Sequence, residues 1–93
     1  MKPLHGKTYD FFSDPGHGWV KVNRNELLGL GIANKISSYS RQRKNAVFLE
    51  EDNDASEFMR AKQARGEPVK FREHISDKQS KIRNYPGFAL DRG

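Results

Sequence analysis

The sequence predicts an α+β domain of order β-β-α-β(β)-α-β. An antiparallel or mixed sheet of four to five strands carries two helices on one face. Three observations predict it. Aromatic and apolar residues flank an Asp14-Pro15-Gly16 turn, which reads as a hairpin. Two segments with helical apolar spacing start at capping residues and end at glycine. The stretches between and after them are short and strand-like.

Residues 7–13 form the first expected strand, with Tyr9, Phe11 and Phe12. Proline presets φ for the turn that follows, and glycine tolerates positive φ. Trp19-Val20-Lys21-Val22 then alternates as a two-faced strand does. His17, between Gly16 and Gly18, is expected exposed at the hairpin tip. Asn23 is placed to cap a first helix, with Glu26 at the capping-box position. Leu27, Leu28 and Leu30 supply its apolar side. Gly31 ends it in the left-handed conformation, with Ile32 folded back over the end. Residues 33–38 read as a short turn or a helical coil, 39–43 as a strand, and 46–49 as a buried strand reached through Lys44-Asn45. Asp54 is expected to cap a second helix, again with Glu57 in the box. Ala55, Phe58 and Met59 mark its buried stripe, while Arg60, Lys62, Gln63 and Arg65 face outward. Gly66 and Pro68 stop it. Residues 69–74 are the last expected strand, with Val69 and Phe71 inward and Lys70 and Arg72 outward. Residues 1–76 thus make the domain. Residues 77–93 are a polar tail along its surface, anchored by Ile82, Tyr85 and Phe88, with a disordered end.

The chain has 93 residues, of which 34% are hydrophobic and 31% charged, so ten aromatics must build much of the core. The absence of cysteine excludes disulfides, thiolate metal sites and a thiol nucleophile. MKPLHGKTYDFF lacks an apolar run of signal-peptide length, and no segment approaches a membrane span. A cytoplasmic protein without a membrane partner is expected. The net charge of +5 favours a polyanionic partner.

No constellation of residues points to catalysis. His17 has Ser13 and Asp14 nearby but no nucleophile motif around it. His5, His17 and His74 lack metal-ligand spacing. The acids Glu50, Glu51, Asp52 and Asp54 do not match a calcium loop. They suit a helix start, and a divalent-metal nuclease is the least favoured alternative. LLGLGI contains no phosphate-loop motif. Neither a cofactor nor a metal is expected.

Basic residues are the strongest remaining signal. Arg41, Arg43 and Lys44 form one set, Lys70 and Arg72 a second, and Lys78, Lys81 and Arg83 a third, interleaved with Tyr39 and Tyr85. Such cations hold phosphates, and tyrosine stacks on unpaired bases. The expected contacts are Arg41, Arg43, Lys44, Lys70, Arg72, Lys81 and Arg83, with His17 and Tyr39 as adjuncts. This predicts a non-enzymatic monomer or homodimer that occludes nucleic acid, or a protein complex that handles it. The acidic turn at 50–54 offers a weaker alternative, mimicry of DNA charge. The main reading requires that the cations share one side of the molecule.

GWVKVNRNELLGLGI resembles the strand–helix core of AbrB-type swapped-hairpin transcription factors, with Asn23 in place of their proline. That resemblance implies a dimeric DNA-binding regulator, and covers about fifteen residues. The whole chain resembles small proteins of phages, prophages and plasmids, through YDFFSDPGHGWVKV, LGIANKISSYS, FLEEDNDASEFMRA and KFREH with SKIRNY. That resemblance implies an anti-defence protein, such as an anti-CRISPR inhibitor, acting by binding in the host cytoplasm.

Overall fold

A computed structural model describes residues 6–90. In chain order it contains β1 (Lys7–Ser13), β2 (Gly18–Asn23), α1 (Arg24–Leu30), β3 (Arg41–Arg43), β4 (Ala46–Glu50), α2 (Asp54–Ala64) and β5 (Val69–Ile75). Short 3₁₀ turns lie at Ala33–Lys35 and Lys81–Asn84. The strands make one mixed sheet, ordered β3-β4-β2-β1-β5. The β1–β2, β2–β4 and β3–β4 pairs are antiparallel, whereas β5 runs parallel to β1. A parallel pair needs a crossover, and α2 supplies it between β4 and β5.

Both helices cover one sheet face. Tyr9, Val20, Val22, Val47 and Leu49 point into this core, where Leu27, Ile32, Ala55 and Phe58 meet them. Tyr9 and Phe58 pack edge to face, with centroids 5.0 Å apart. Local chemistry fixes the ends of α1. Asn23 Oδ1 accepts the Asn25 N–H at 2.8 Å. Gly31 has φ 73°, and Ile32 folds back to donate its N–H to the Leu27 carbonyl at 3.1 Å. Leu28, expected on the apolar side, is exposed.

Several expectations need correction. Glu26 does not close a capping box. Its carboxylate accepts the Tyr9 hydroxyl at 2.5 Å and the Lys62 ammonium at 2.9 Å. Lys62 therefore faces inward and is buried, with a second carboxylate, Glu67, at 2.7 Å. Its aliphatic stem packs with the core while two acids compensate its charge. Burial opposes ionisation of Glu26, yet the bonds from Tyr9 and Lys62 hold its carboxyl below the ordinary range. Burial and the Glu26 carboxylate push the Tyr9 phenol up to about 12.

Asp54 does not cap α2 either. Glu50 takes that role, its Oε1 accepting the N–H groups of Asn53 at 2.7 Å and Asp54 at 3.2 Å. Asp54 turns inward and is buried. Its Oδ2 accepts the Ser37 N–H (3.0 Å), the Ser37 hydroxyl (2.7 Å) and the Ser40 hydroxyl (2.5 Å). Asp54→Ala orphans these donors together and is expected to destabilise the fold by about 3 kcal/mol. The shift in urea midpoint measures this, and Asp54→Asn, which keeps an acceptor oxygen, should lose less.

The segment after Ser76 is more than a surface tail. Phe88 is buried in the helix-side core. On the opposite sheet face, Ile82 joins Trp19 and Phe48 in a second cluster, flanked by Phe12, Ala46 and Tyr85. Backbone bonds from Gln42 to Pro86 (2.9 Å) and from Phe88 to Ser40 (2.7 Å) cover the outer edge of β3. The buried Arg24 guanidinium reaches Gln42 Oε1 at 2.5 Å and the Ala89 carbonyl at 3.1 Å. The face away from the helices is therefore half covered by the tail. The expected disorder at the chain end falls on residues 91–93, and His5 on residues 1–5, both outside the described residues. At the other edge, β5 pairs with β1 alone among the described residues. Phe71, expected inward, is 42% exposed and packs edge to face with Phe11, with centroids 6.4 Å apart. No helix among the described residues is long and apolar enough to cross a membrane.

Candidate nucleic-acid interface

Strand alternation decides which cations share a face, and register decides which lie side by side. On the face away from the helices, the pairings align three rows. The first contains Glu50, Trp19, Phe12 and His74. The second crosses the whole sheet as Arg41, Phe48, Lys21, Asp10 and Arg72. The third has Arg43, Ala46 and Asn23 towards one edge, and Thr8 with Lys70 towards the other.

The first row lies largely under the tail. Trp19 is buried there, and Phe12 stacks on His74 with centroids 4.7 Å apart. The second and third rows bring five cations to one face: Arg41, Lys21, Arg72, Arg43 and Lys70. All are exposed except Arg41, which is half-buried and donates to the Tyr85 carbonyl at 3.2 Å. Arg43 lies over the Tyr85 ring, 5.6 Å from its centroid. Lys44 is exposed on the β3–β4 turn, with φ 55°. A hollow of about 490 Å³ opens along this end, lined by Lys7, Lys21, Arg43 and Lys44 among others.

The strand acids on this face are both engaged. Asp10 Oδ1 accepts Arg72 Nε at 2.8 Å and meets His74 Nε2 at 2.8 Å. Chiefly through Arg72, then His74, its carboxyl is drawn down to about 2. Glu50 accepts the backbone N–H groups of Asp52, Asn53 and Asp54.

The remaining expected contacts lie elsewhere. Arg83 forms a clamp. Its Nε and Nη2 reach the two oxygens of Asp14 at 2.7 and 2.8 Å. The Asp14 side chain is fully buried, and it also accepts the N–H groups of Gly16, His17 and Ser80. Arg83 above all holds the Asp14 carboxyl far below its usual range. This fastens the tail to the hairpin tip. Lys81 is exposed on the 3₁₀ turn. His17 and Tyr39 line a second hollow of about 440 Å³ beyond the tail, with Trp19, Arg41, Glu50 and Arg83. His17 is exposed at the tip and stacks on Trp19, with centroids 5.6 Å apart and planes 9° from parallel.

Lys21 and Lys7 are cations of this region that the expected contact set omits. Alternation in Trp19-Val20-Lys21-Val22 is the signal that places Lys21 opposite the core. Among the described residues, no three of His, Asp or Glu converge as metal ligands.

The carboxylate clamps make stability pH-dependent. Both Asp10 and Asp14 have folded-state pKa values below the unfolded value of about 3.9, so the unfolded chain binds more protons in that interval. Their stabilisation is fully present above about pH 4. For Asp10 it is lost as pH falls towards about 2. Melting temperatures from pH 5 downward should therefore drop. Arg83→Ala, which removes the chief cause of the Asp14 shift, should flatten the dependence.

No protein-family model, curated protein or solved structure matches the chain.

Proposed function

We propose that this protein binds nucleic acid without catalysis, holding the phosphate backbone on the uncovered half of its sheet. One observation carries the reading: strand register aligns Arg41, Lys21 and Arg72 in one row, with Arg43 and Lys70 in the next. Alternate strands are about 10 Å apart, so the row spaces its cations across the sheet rather than clustering them. Asp10 pairs with Arg72 and His74, which leaves Lys21, Arg43 and Lys70 as the main phosphate donors. A strand held on this face is denied to other proteins, the mode of action expected of a small basic anti-defence protein in a phage-infected cell.

Fluorescence anisotropy with short DNA and RNA strands tests the reading. Neutralising about three phosphates gives a log–log salt slope of roughly −2 for a single strand, or about 20-fold weaker binding between about 50 and 200 mM salt. Absence of binding at low salt, together with nuclease-resistant capture of a host protein, would replace nucleic acid with a protein partner.

A further inference from the structure

We infer that the hollow beside the tail is a stacking site for an unpaired base, and that the preferred ligand is a single strand rather than a duplex. This rests on the nucleic-acid reading above. Tyr39 is 79% exposed, although its ring is large and apolar. Its turn is nevertheless held firmly. Ser37 and Ser40, on either side, both donate to the buried Asp54 carboxylate, and the Tyr39 N–H donates to the Ser37 hydroxyl at 3.2 Å. A ring displayed on a pinned turn loses little freedom when a flat ligand covers it.

Across the hollow, the exposed His17 ring lies parallel to Trp19. The clamp between Asp14, which also binds the His17 N–H at 2.9 Å, and Arg83 fixes that side. Two aromatic groups on fixed supports thus border the same space as Arg41. Arg41 also belongs to the cationic row, so it links phosphate contact to the hollow. Charge favours a base over a phosphate here. Arg83 is paired with Asp14, and Glu50 and Asp52 line the same space. Carboxylates repel phosphates but accept the exocyclic amino groups of bases. A duplex keeps its bases stacked inside, so it offers the sheet its phosphates and leaves the hollow empty.

The test measures binding of a short single strand and of its duplex to wild type, Tyr39→Ala and Tyr39→Phe at one salt concentration. Wild type should favour the single strand. Tyr39→Ala should weaken single-strand binding by about 5- to 150-fold, the range for one aromatic stack, while Tyr39→Phe keeps it. Duplex affinity and the salt slope should be unchanged in both variants. If strand and duplex bind equally and Tyr39→Ala alters neither, the base site is wrong and phosphate binding stands. If neither ligand binds wild type, both readings fall.

Discussion

A chain ending at Ser76 is expected to lose its cooperative fold. The missing segment contributes Phe88 to the helix-side core and Ile82 to the opposite cluster. It also removes the Arg83 partner of the buried Asp14 carboxylate, and the backbone bonds that cover β3. A domain of this size has about 5–15 kcal/mol of net stability. Phe88→Ala alone should cost about 3–5 kcal/mol, as a buried ring leaves a cavity and takes its transfer energy with it. Far-UV circular dichroism melts would show a broad, early transition for the truncated chain and a sharp but lowered one for Phe88→Ala. A truncated chain melting within a few degrees of the full one would mean that the tail is decoration.

The second large effect concerns binding. Lys21→Glu combined with Lys70→Glu should lower affinity for a short single strand by about 100-fold or more at low salt. It should also make the salt slope shallower by about 1.4, since each lost phosphate contact removes about 0.7. Both side chains are exposed strand residues, so the melting temperature should fall by no more than a few degrees, the part due to position 21 coming from an acid facing Asp10 across the β1–β2 pair. Lys35→Glu, an exposed charge beside α1, changes net charge in the same direction and serves as the control. Lys35→Glu changes the net charge half as much, so a loss of about 10-fold from it would mean that net charge, not the patterned face, governs binding.

What could be read from the sequence was local. The hairpin turn at Asp14, the Asn23 cap, the Gly31 and Gly66 helix ends and the β3–β4 turn at Lys44 each depend on neighbours within a few positions. The strand assignment then gave the class, a five-stranded mixed sheet under two helices. Partners distant in sequence were hidden. Glu26 and Asp54 sit at ordinary capping positions, and only tertiary structure reveals that Tyr9, Lys62, Ser37 and Ser40 claim their carboxylates. Arg83 looked like another surface cation because its partner Asp14 lies 69 positions away. The shared face was partly legible. Alternation oriented Lys70, Arg72 and Lys21, but register alone aligned them, and register is a property of paired strands.

The parallel pairing of β5 with β1 has a consequence for how the chain matures. The first strand to be synthesised waits for the last strand before its outer side is matched, and Asp14 waits longer still for Arg83. A nascent chain that has reached only α2 presents Trp19 and Phe48 to water, without the Ile82 that covers them. Long-range closure of this kind slows folding. The ribosome must therefore release the chain as far as Ile82 and Arg83 before this domain can seal itself, and until then its second apolar cluster stays open to water.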